Sequence, residues 1–273
     1  CWLPLAFLLA VVACAPVGGP AVPGSPPAPV AEEAADRPAP RAAPQPGVRV
    51  IQPPGRRQPP LPLPEEVRAL WVVRTTLAHP DSIRAMVARA AGAGFNTLIV
   101  QVRGRGDAYY RSRWEPRPEG VLEQGTDFDP LALVIREAHA RGMGVHAWVN
   151  AHLIGGSWSL PADPLHLILS RPDLLAVPRE LAPRLFSMDP RSPPFAQALL
   201  EYAQANTERV EGLYSAPSSP EVKEHLYSVW MDLLESYDLD GLHFDYIRYP
   251  NPDFDYSRVA LERFRAWVAP RLP

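Results

Sequence analysis

Hydrophobic residues follow a regular pattern from about Glu65 onward and a different one before it. In the later part, short apolar runs rich in β-branched residues alternate with stretches whose apolar residues recur at helical spacing. The apolar runs predict four strands, at 67–74 (VRALWVVR), 96–103 (NTLIVQVR), 144–152 (GVHAWVNAH) and 241–247 (GLHFDYI). Alternation of strands and helices predicts a parallel sheet covered by helices.

The helices between these strands are marked mainly by how they begin. A capping side chain followed by proline is a strong start signal, and it occurs at Asp129-Pro130 and at Ser219-Pro220. Other helices are predicted after His79, over about 194–209 and over about 257–269. A Pro-rich segment at 153–196 is too long for an ordinary connection and predicts a binding loop, and a fifth short strand is predicted at 212–215.

The first fourteen residues have the features of an export signal. Residues 2–12 (WLPLAFLLAVV) are almost wholly apolar, but a membrane span needs about 20 such residues. The run ends in Val11-Val12-Ala13-Cys14, which resembles a bacterial lipobox. We therefore predict an exported lipoprotein of the cell envelope, anchored to the membrane by a lipid on Cys14. An ordinary signal peptide with an incidental cysteine is the alternative.

Residues 15–64 contain sixteen prolines and few large apolar side chains. Such a stretch cannot bury enough surface to offset its ordering entropy, so it is predicted to be a disordered linker. The two cysteines, Cys1 and Cys14, both precede the folded part, so no disulfide framework or thiolate metal site is predicted for residues 65–273. A net charge of -3 gives no indication of a nucleic-acid partner.

Polar residues at the ends of the strands indicate the fold class and a candidate site. No Gly-rich phosphate loop follows the first strand, as a dinucleotide fold would require. Polar groups at the carboxyl ends of successive strands are typical of (β/α) barrels. The prediction is the first half of a (β/α)8 TIM barrel, continued beyond this chain. A small open α/β sheet is the alternative.

Strand alternation then selects individual residues. In the fourth strand His243 and Asp245 share one face, and Leu242, Phe244 and Tyr246 share the other. Asp245 is the candidate catalytic carboxylate, with Arg248 as a possible ion-pair partner, and Trp71 is predicted to face the helices. The candidate substrate-binding residues lie at the strand ends or in the following loops: Arg74, Gln101, Arg103, Asp107, Tyr109, Trp148, Asn150, His152, His243, Tyr246, Arg248 and Tyr249.

Four segments resemble motifs of the bacterial family 10 glycosylhydrolases: WVVR, NTLIVQVRGRGDAYY, FDPLALVIREAHARGMGVHAWVN and YDLDGLHFDYIRYP. The most specific of them is FDYIRYP, at 244–250. The resemblance implies a (β/α)8 TIM barrel of glycosidase type, an envelope location and action on glycans, including peptidoglycan strands in some members. The fourth strand also resembles the α-amylase pattern, which implies that Asp245 is the nucleophile of a retaining glycosidase. The general acid would lie on a later strand, so these 273 residues alone are expected to be inactive.

Two other function classes remain open. One is a glycan-binding envelope lipoprotein without catalysis. The other is a metal-dependent hydrolase that uses His146, His152, His243 and Asp245, although the first strand lacks the His-x-His pair that such barrels usually supply. The glycosidase hypothesis predicts neither a cofactor nor a metal.

Overall fold

The structure, a computed structural model, describes residues 66–272. Its strands, in chain order, are β1 (Ala69–Val72), β2 (Thr97–Arg103), β3 (Gly144–Asn150), β4 (Leu153–Gly155), β5 (Leu213–Tyr214) and β6 (Gly241–Asp245). Strands β1, β2, β3 and β6 form one all-parallel sheet in that order, and β4 and β5 form a separate antiparallel pair. The predicted signal at 1–14 and linker at 15–64 lie outside the described residues.

The α-helices, in chain order, are α1 (Pro80–Gly92), α2 (Glu119–Leu122), α3 (Pro130–His139), α4 (Leu167–Ser170), α5 (Ala182–Leu185), α6 (Pro193–Ala205), α7 (Pro220–Ser236) and α8 (Arg258–Val268). Helices α3 and α7 begin at the predicted prolines, capped by Asp129 and Ser219. The first strand is shorter than predicted, because Arg74 begins a 3-10 turn instead of ending the strand. From residue 66 to residue 272, no helix is long and apolar enough to cross a membrane.

The helices cover one face of the parallel sheet. Its apolar side chains, among them Val72, Val100 and Ala147, pack against Val87 of α1 and Val134 of α3 in one core. A doubly wound sheet would carry helices on both faces and would not run in sequential order. The chain therefore has an α/β fold with the strand order and one-sided helix layer of a partial (β/α) barrel.

The opposite face of the sheet carries the larger polar and aromatic residues. Trp71 lies on this face with its ring edge against His243, and 63% of the Trp71 residue surface is exposed. The prediction that Trp71 faces the helices is wrong, because the neighbouring residue Val72 occupies the helix-facing position. In contrast, Phe244 does face the helices, where it packs against Trp230 of α7.

The long segment between β3 and α7 is folded rather than an extended loop. It contains β4, α4, α5, α6 and β5, and its apolar side chains form a second core that includes Ile154, Ile168, Phe195, Leu199 and Leu213. The predicted fifth strand exists as β5, but it pairs with β4 and not with the parallel sheet. This insertion follows the carboxyl end of β3, so it stands beside the sheet edge where a barrel places its chemistry.

Candidate functional site

Asp245 is the last residue of β6 and lies at the carboxyl edge of the parallel sheet. Its Oδ2 accepts a hydrogen bond from Trp148 Nε1 at 3.1 Å, and its Oδ1 accepts one from its neighbour's backbone, Tyr246 N, at 2.7 Å. Among residues 66–272, no ion pair involves Asp245. Two uncharged donors therefore orient this carboxylate, and no cationic side chain in the described part of the chain pairs with it.

Aromatic rings occupy the sheet face beneath Asp245. Trp71 and Trp148 both meet His243 edge to face, with centroid distances of 5.8 and 6.4 Å. The register explains the grouping, because Trp148 of β3 lies opposite His243 of β6. His243 and Asp245 share one face, as predicted, and Trp148 lies on that face beside them.

Arg248 does not pair with Asp245, so that expectation is wrong. Its Nη2 lies 2.7 Å from Glu211 Oε1, and its guanidinium lies 5.1 Å from the centroid of the Tyr246 ring. Tyr246 has a φ of 49°, which takes it out of the strand alternation. Its ring packs against Tyr214 of β5 at 6.1 Å instead of facing the helices. Alternation was extended one residue too far, because the strand ends at Asp245.

Two residues expected to bind substrate are buried supports instead. Arg103 has no exposed surface, and its Nε and Nη2 donate to the two carboxylate oxygens of Glu115 at 2.7 and 2.6 Å. Its Nη1 donates to the carbonyl oxygens of Asn150 and Ala151. Asn150 is equally buried and donates from Nδ2 to the Gly104 carbonyl oxygen at 2.9 Å. The two side chains therefore brace the ends of β2 and β3 from within.

His152 is also buried, and it lies in the connection after β3. Its Nδ1 lies 3.1 Å from Ser215 Oγ. Burial, together with the positive charges of Arg103 and Lys223, lowers the pKa of His152 to about 4. The ring is therefore neutral at neutral pH and acts as a packed polar group, contrary to the prediction of substrate contact. Tyr249, in the loop after β6, contacts Ser218, and burial raises the pKa of its phenol.

A cleft of about 600 Å³ opens beside this edge, where the loop after β2 meets the insertion. Residues that line it include Arg74, Arg105, Asp107, Tyr109, Trp158 and His166. We call it the β2 cleft. Three predicted binding residues, Arg74, Asp107 and Tyr109, thus come together. Gln101 is buried beneath them, where its Oε1 accepts from Arg74 Nη1 at 3.0 Å and so positions that guanidinium.

Arg105 and Trp158 were not singled out as binding residues from the sequence. The Arg105 guanidinium carbon lies 5.7 Å from the centroid of the Trp158 indole. Strand β2 ends at Arg103, so strand alternation does not predict which way the Arg105 side chain points. Trp158 lies in the segment predicted to bind, but only its folding back over Gly156 brings the ring to the cleft.

Metal ligands do not assemble at this edge. Within the part of the chain that the structure describes, no group of three or more His, Cys, Asp or Glu side chains is arranged to hold a metal ion. The residues named for the metal-dependent alternative, His146, His152, His243 and Asp245, therefore form no such group.

Two solved structures resemble this chain at low sequence identity. One is a hypothetical protein from Ruminiclostridium thermocellum ATCC 27405, with 17% identity, a TM-score of 0.44 and coverage of 75% of this chain and 93% of that one. The other is alpha-L-fucosidase isoenzyme 2 from Paenibacillus thiaminolyticus, with 18% identity, a TM-score of 0.48 and coverage of 73% of this chain and 26% of that one.

Sequence relatives and a family model give the classification. The glycosyl hydrolase YngK of Bacillus subtilis (strain 168) is 28% identical over 160 residues, which is 58% of this chain and 26% of that protein. The glycosyl hydrolase DigH of Escherichia coli (strain K12) is 27% identical over 155 residues, which is 56% of this chain and 30% of that protein. The matched stretch thus spans less than a third of either relative. The model of the family described as glycosyl hydrolase-like 10 matches residues 66–268, and the chain therefore belongs to that family.

Proposed function

We propose that the protein is a glycoside hydrolase that acts on a polysaccharide of the cell envelope, with peptidoglycan strands as one candidate, and that Asp245 is its nucleophile. The observation that carries the proposal is the position of the Asp245 carboxylate, at the carboxyl edge of the sheet and oriented by Trp148. Barrel enzymes place their chemistry at this edge.

The environment of Asp245 suits a nucleophile. A carboxylate attacks through an anionic oxygen that keeps a free lone pair. Trp148 Nε1 can only donate, so it orients one oxygen without neutralising the charge, and the backbone N–H of Tyr246 does the same for the other. An arginine partner would instead engage both oxygens in a bidentate pair. Arg248 is held away from Asp245 by Glu211, so the two oxygens keep this freedom.

The aromatic face suits a sugar ligand. Trp71 and Trp148 flank His243 on the face that a closed barrel turns inward, and Trp148 reaches Asp245 at the carboxyl edge of that face. Ligand sites combine apolar aromatic walls with a few placed polar groups, and the apolar face of a pyranose fits against an indole. A sugar bound at that edge would meet the Trp148 indole beside the Asp245 carboxylate.

A retaining mechanism requires a second carboxyl group, about 5 to 5.5 Å from the nucleophile. We propose that this general acid lies on a strand outside residues 66–272, and that residues 1–273 alone do not turn over substrate. A purified protein of residues 66–273 that hydrolyses glycan at the rate of the gene product would contradict this part of the proposal.

We also propose that the protein is exported and tethered to a membrane of the envelope through a lipid on Cys14. The lipobox-like sequence Val11-Val12-Ala13-Cys14 supports this location, which would bring the site to envelope glycans. Metabolic labelling with a fatty acid analogue should modify the wild-type protein and leave a Cys14→Ser variant unlabelled. Equal labelling of both would show that Cys14 is not the anchor.

Hydrolysis by the gene product, purified without its signal, tests the proposed function. Peptidoglycan and purified glycan strands are the substrates, and mass spectrometry identifies the products. We expect Asp245→Asn to reduce the rate at least about a thousandfold, which corresponds to about 4 kcal/mol of transition-state stabilisation. The matched control is Asp253→Asn, whose carboxylate pairs with Arg209 at the surface.

The control variant should keep the wild-type rate. An Asp245→Asn variant that also keeps it would remove Asp245 from the chemistry. If wild type and Asp245→Asn both bind glycan and neither cleaves it, the protein is a glycan-binding module rather than an enzyme.

A further inference from the structure

Two arginines that lack a carboxylate partner stand side by side in the β2 cleft. Within residues 66–272, neither Arg74 nor Arg105 forms an ion pair. Arg74 donates to Gln101 and contacts the Tyr109 hydroxyl. Arg105 donates from Nη1 to the Gly104 carbonyl oxygen, and its Nε is buried with no hydrogen-bond partner. A guanidinium carries five N–H donors, so most of these remain open to a ligand.

The two positive charges are close enough to affect each other. Burial, followed by the charge of Arg74, lowers the pKa of Arg105. Like charges placed together at a partly buried position are unfavourable, and an anion bound between them would relieve that repulsion. Three carboxylates, Asp107, Asp163 and Glu119, also line the cleft, and Asp107 acts on the pKa of Arg105 in the direction opposite to Arg74. In the described part of the chain, none of the three forms an ion pair with either arginine, so both guanidinium groups keep donors for a ligand.

The loop that carries Arg105 is held in place before any ligand binds. Asn150 Nδ2 donates to the Gly104 carbonyl oxygen at 2.9 Å, and His166 Nε2 lies 2.7 Å from the Arg105 carbonyl oxygen. Gly104 also makes room for Arg74, since a Cβ there would lie 2.5 Å from Arg74 Cδ. Groups held in this way lose little freedom when they bind a ligand.

Trp158 supplies an exposed ring beside the charges. The residue is 64% exposed, and its indole lies beneath the Arg105 guanidinium. Gly156 allows this placement, because a Cβ there would lie 2.5 Å from the indole. An exposed indole next to paired guanidinium groups offers stacking for a ring and charge-assisted hydrogen bonds for an anionic substituent.

We propose that the β2 cleft is a subsite for a sugar unit that carries a carboxylate, with Arg74 and Arg105 binding the carboxylate and Trp158 stacking on the ring. The inference rests on the proposed function, since it assumes that the ligand is a glycan. The cleft volume of about 600 Å³ accommodates a ligand of this size.

The cleft is linked to the edge that carries Asp245. Asn150, which holds the Gly104 carbonyl, lies opposite Asp245 in the β3–β6 register. Tyr246, the residue after Asp245, is near enough to Arg105 to act on its pKa, in the direction opposite to Arg74. The cleft therefore adjoins the edge that carries Asp245, and the proposed subsite would hold one unit of a glycan that extends toward that edge. The carboxylate could come from a lactyl ether, as in N-acetylmuramic acid, or from the ring of a uronic acid.

Equilibrium binding to the gene product tests the subsite, with Asp245→Asn as the background so that no ligand is consumed. The probes are three oligosaccharides of equal length: alternating N-acetylglucosamine and N-acetylmuramic acid, oligogalacturonate, and N-acetylglucosamine alone. We expect an acidic probe to bind about 10-fold more tightly than the neutral one, as the loss of one charged hydrogen bond implies. The identity of the tighter acidic probe reveals the source of the carboxylate.

The variants separate charge from stacking. Arg105→Gln should abolish the advantage of the acidic probe. Arg89→Gln should preserve it, since Arg89 lies in the last turn of α1, at the opposite end of the sheet. Trp158→Ala should weaken acidic and neutral probes by a similar factor. Thermal unfolding of each variant within a few degrees of the parent confirms that it is folded.

Equal binding of all three probes, no binding of any probe, or an advantage that survives Arg105→Gln would overturn the subsite. A Trp158→Ala variant that binds all probes as the parent does would overturn the stacking role. The proposed function fails separately. Selective binding of an acidic probe without hydrolysis by the wild type would contradict the proposed hydrolase and support the subsite. Hydrolysis without a preference for acidic probes would support the hydrolase and contradict the subsite.

Discussion

At the residue scale, a buried charge cluster supports the candidate site from behind. The two carboxylate oxygens of Glu115 accept hydrogen bonds from Nε and Nη2 of Arg103. Glu115 Oε1 also lies 3.0 Å from His225 Nε2. Burial alone would raise the pKa of Glu115, but the charge of Arg103 and hydrogen bonds from His225 and Arg103 outweigh it and lower the pKa to about 2. Arg103 in turn holds the carbonyl groups at the end of β3, next to Asn150. Removal of the Glu115 charge should therefore destabilise the carboxyl edge of the sheet.

We predict that Glu115→Gln lowers the free energy of unfolding by about 3 to 5 kcal/mol, because it leaves Arg103 buried without a counter-charge. Urea denaturation at pH 7 measures the change. Glu119→Gln, at an exposed position in α2, is the matched control and should change stability by less than about 0.5 kcal/mol. A Glu115→Gln variant as stable as the control would show that the pair contributes no net stability.

His152 should make the fold sensitive to mild acid. Its folded-state pKa of about 4 lies below the ordinary histidine value of about 6.5, so the unfolded chain binds the proton more readily. Stability should therefore fall as the pH drops from about 6.5 toward 4. His152→Gln should flatten this part of the profile of melting temperature against pH. Identical profiles for wild type and His152→Gln would contradict the prediction.

At the element scale, local signals predicted the helix starts well and the insertion poorly. Asp129-Pro130 and Ser219-Pro220 act within one turn, so the residues themselves determine where α3 and α7 begin. The segment 153–196 carries many prolines and no sustained period, and its short helices are stabilised by a shared core around Ile168 and Phe195. Such packing joins residues far apart in sequence, which local patterns do not report.

Asp129 connects two of these elements. Its Oδ1 accepts from Ala132 N at the start of α3, and its Oδ2 accepts from the Tyr237 hydroxyl just after α7. We predict that Asp129→Ala reduces the free energy of unfolding by about 1 to 2 kcal/mol. The loss of an N-cap accounts for about 1 kcal/mol of this, and the lost hydrogen bond from Tyr237 adds to it. Chemical denaturation checks this, with the exposed Asp127→Ala as control. A loss no larger than that of the control would exclude a capping contribution.

At the scale of the whole molecule, the parallel sheet and its carboxyl edge could be predicted from the sequence, but the degree of burial of each side chain could not. Alternation placed His243 and Asp245 on one face correctly, because the strand period of two is strict. It could not tell that Arg103 and Asn150 are buried while Arg74 lines a cleft, since burial depends on what the insertion covers. The β2 cleft itself exists only where two distant segments meet.

The most direct test of the account is chemical rescue of an Asp245→Ala variant of the gene product by azide. If Asp245 is the nucleophile, its removal leaves space for azide to attack the anomeric carbon, and the variant should form a glycosyl azide whose anomeric configuration is opposite to that of the substrate. Mass spectrometry and NMR of the products identify it. A wild-type enzyme that cleaves glycan, together with an Asp245→Ala variant that keeps this activity and forms no azide adduct, would contradict the assignment of Asp245 as the nucleophile.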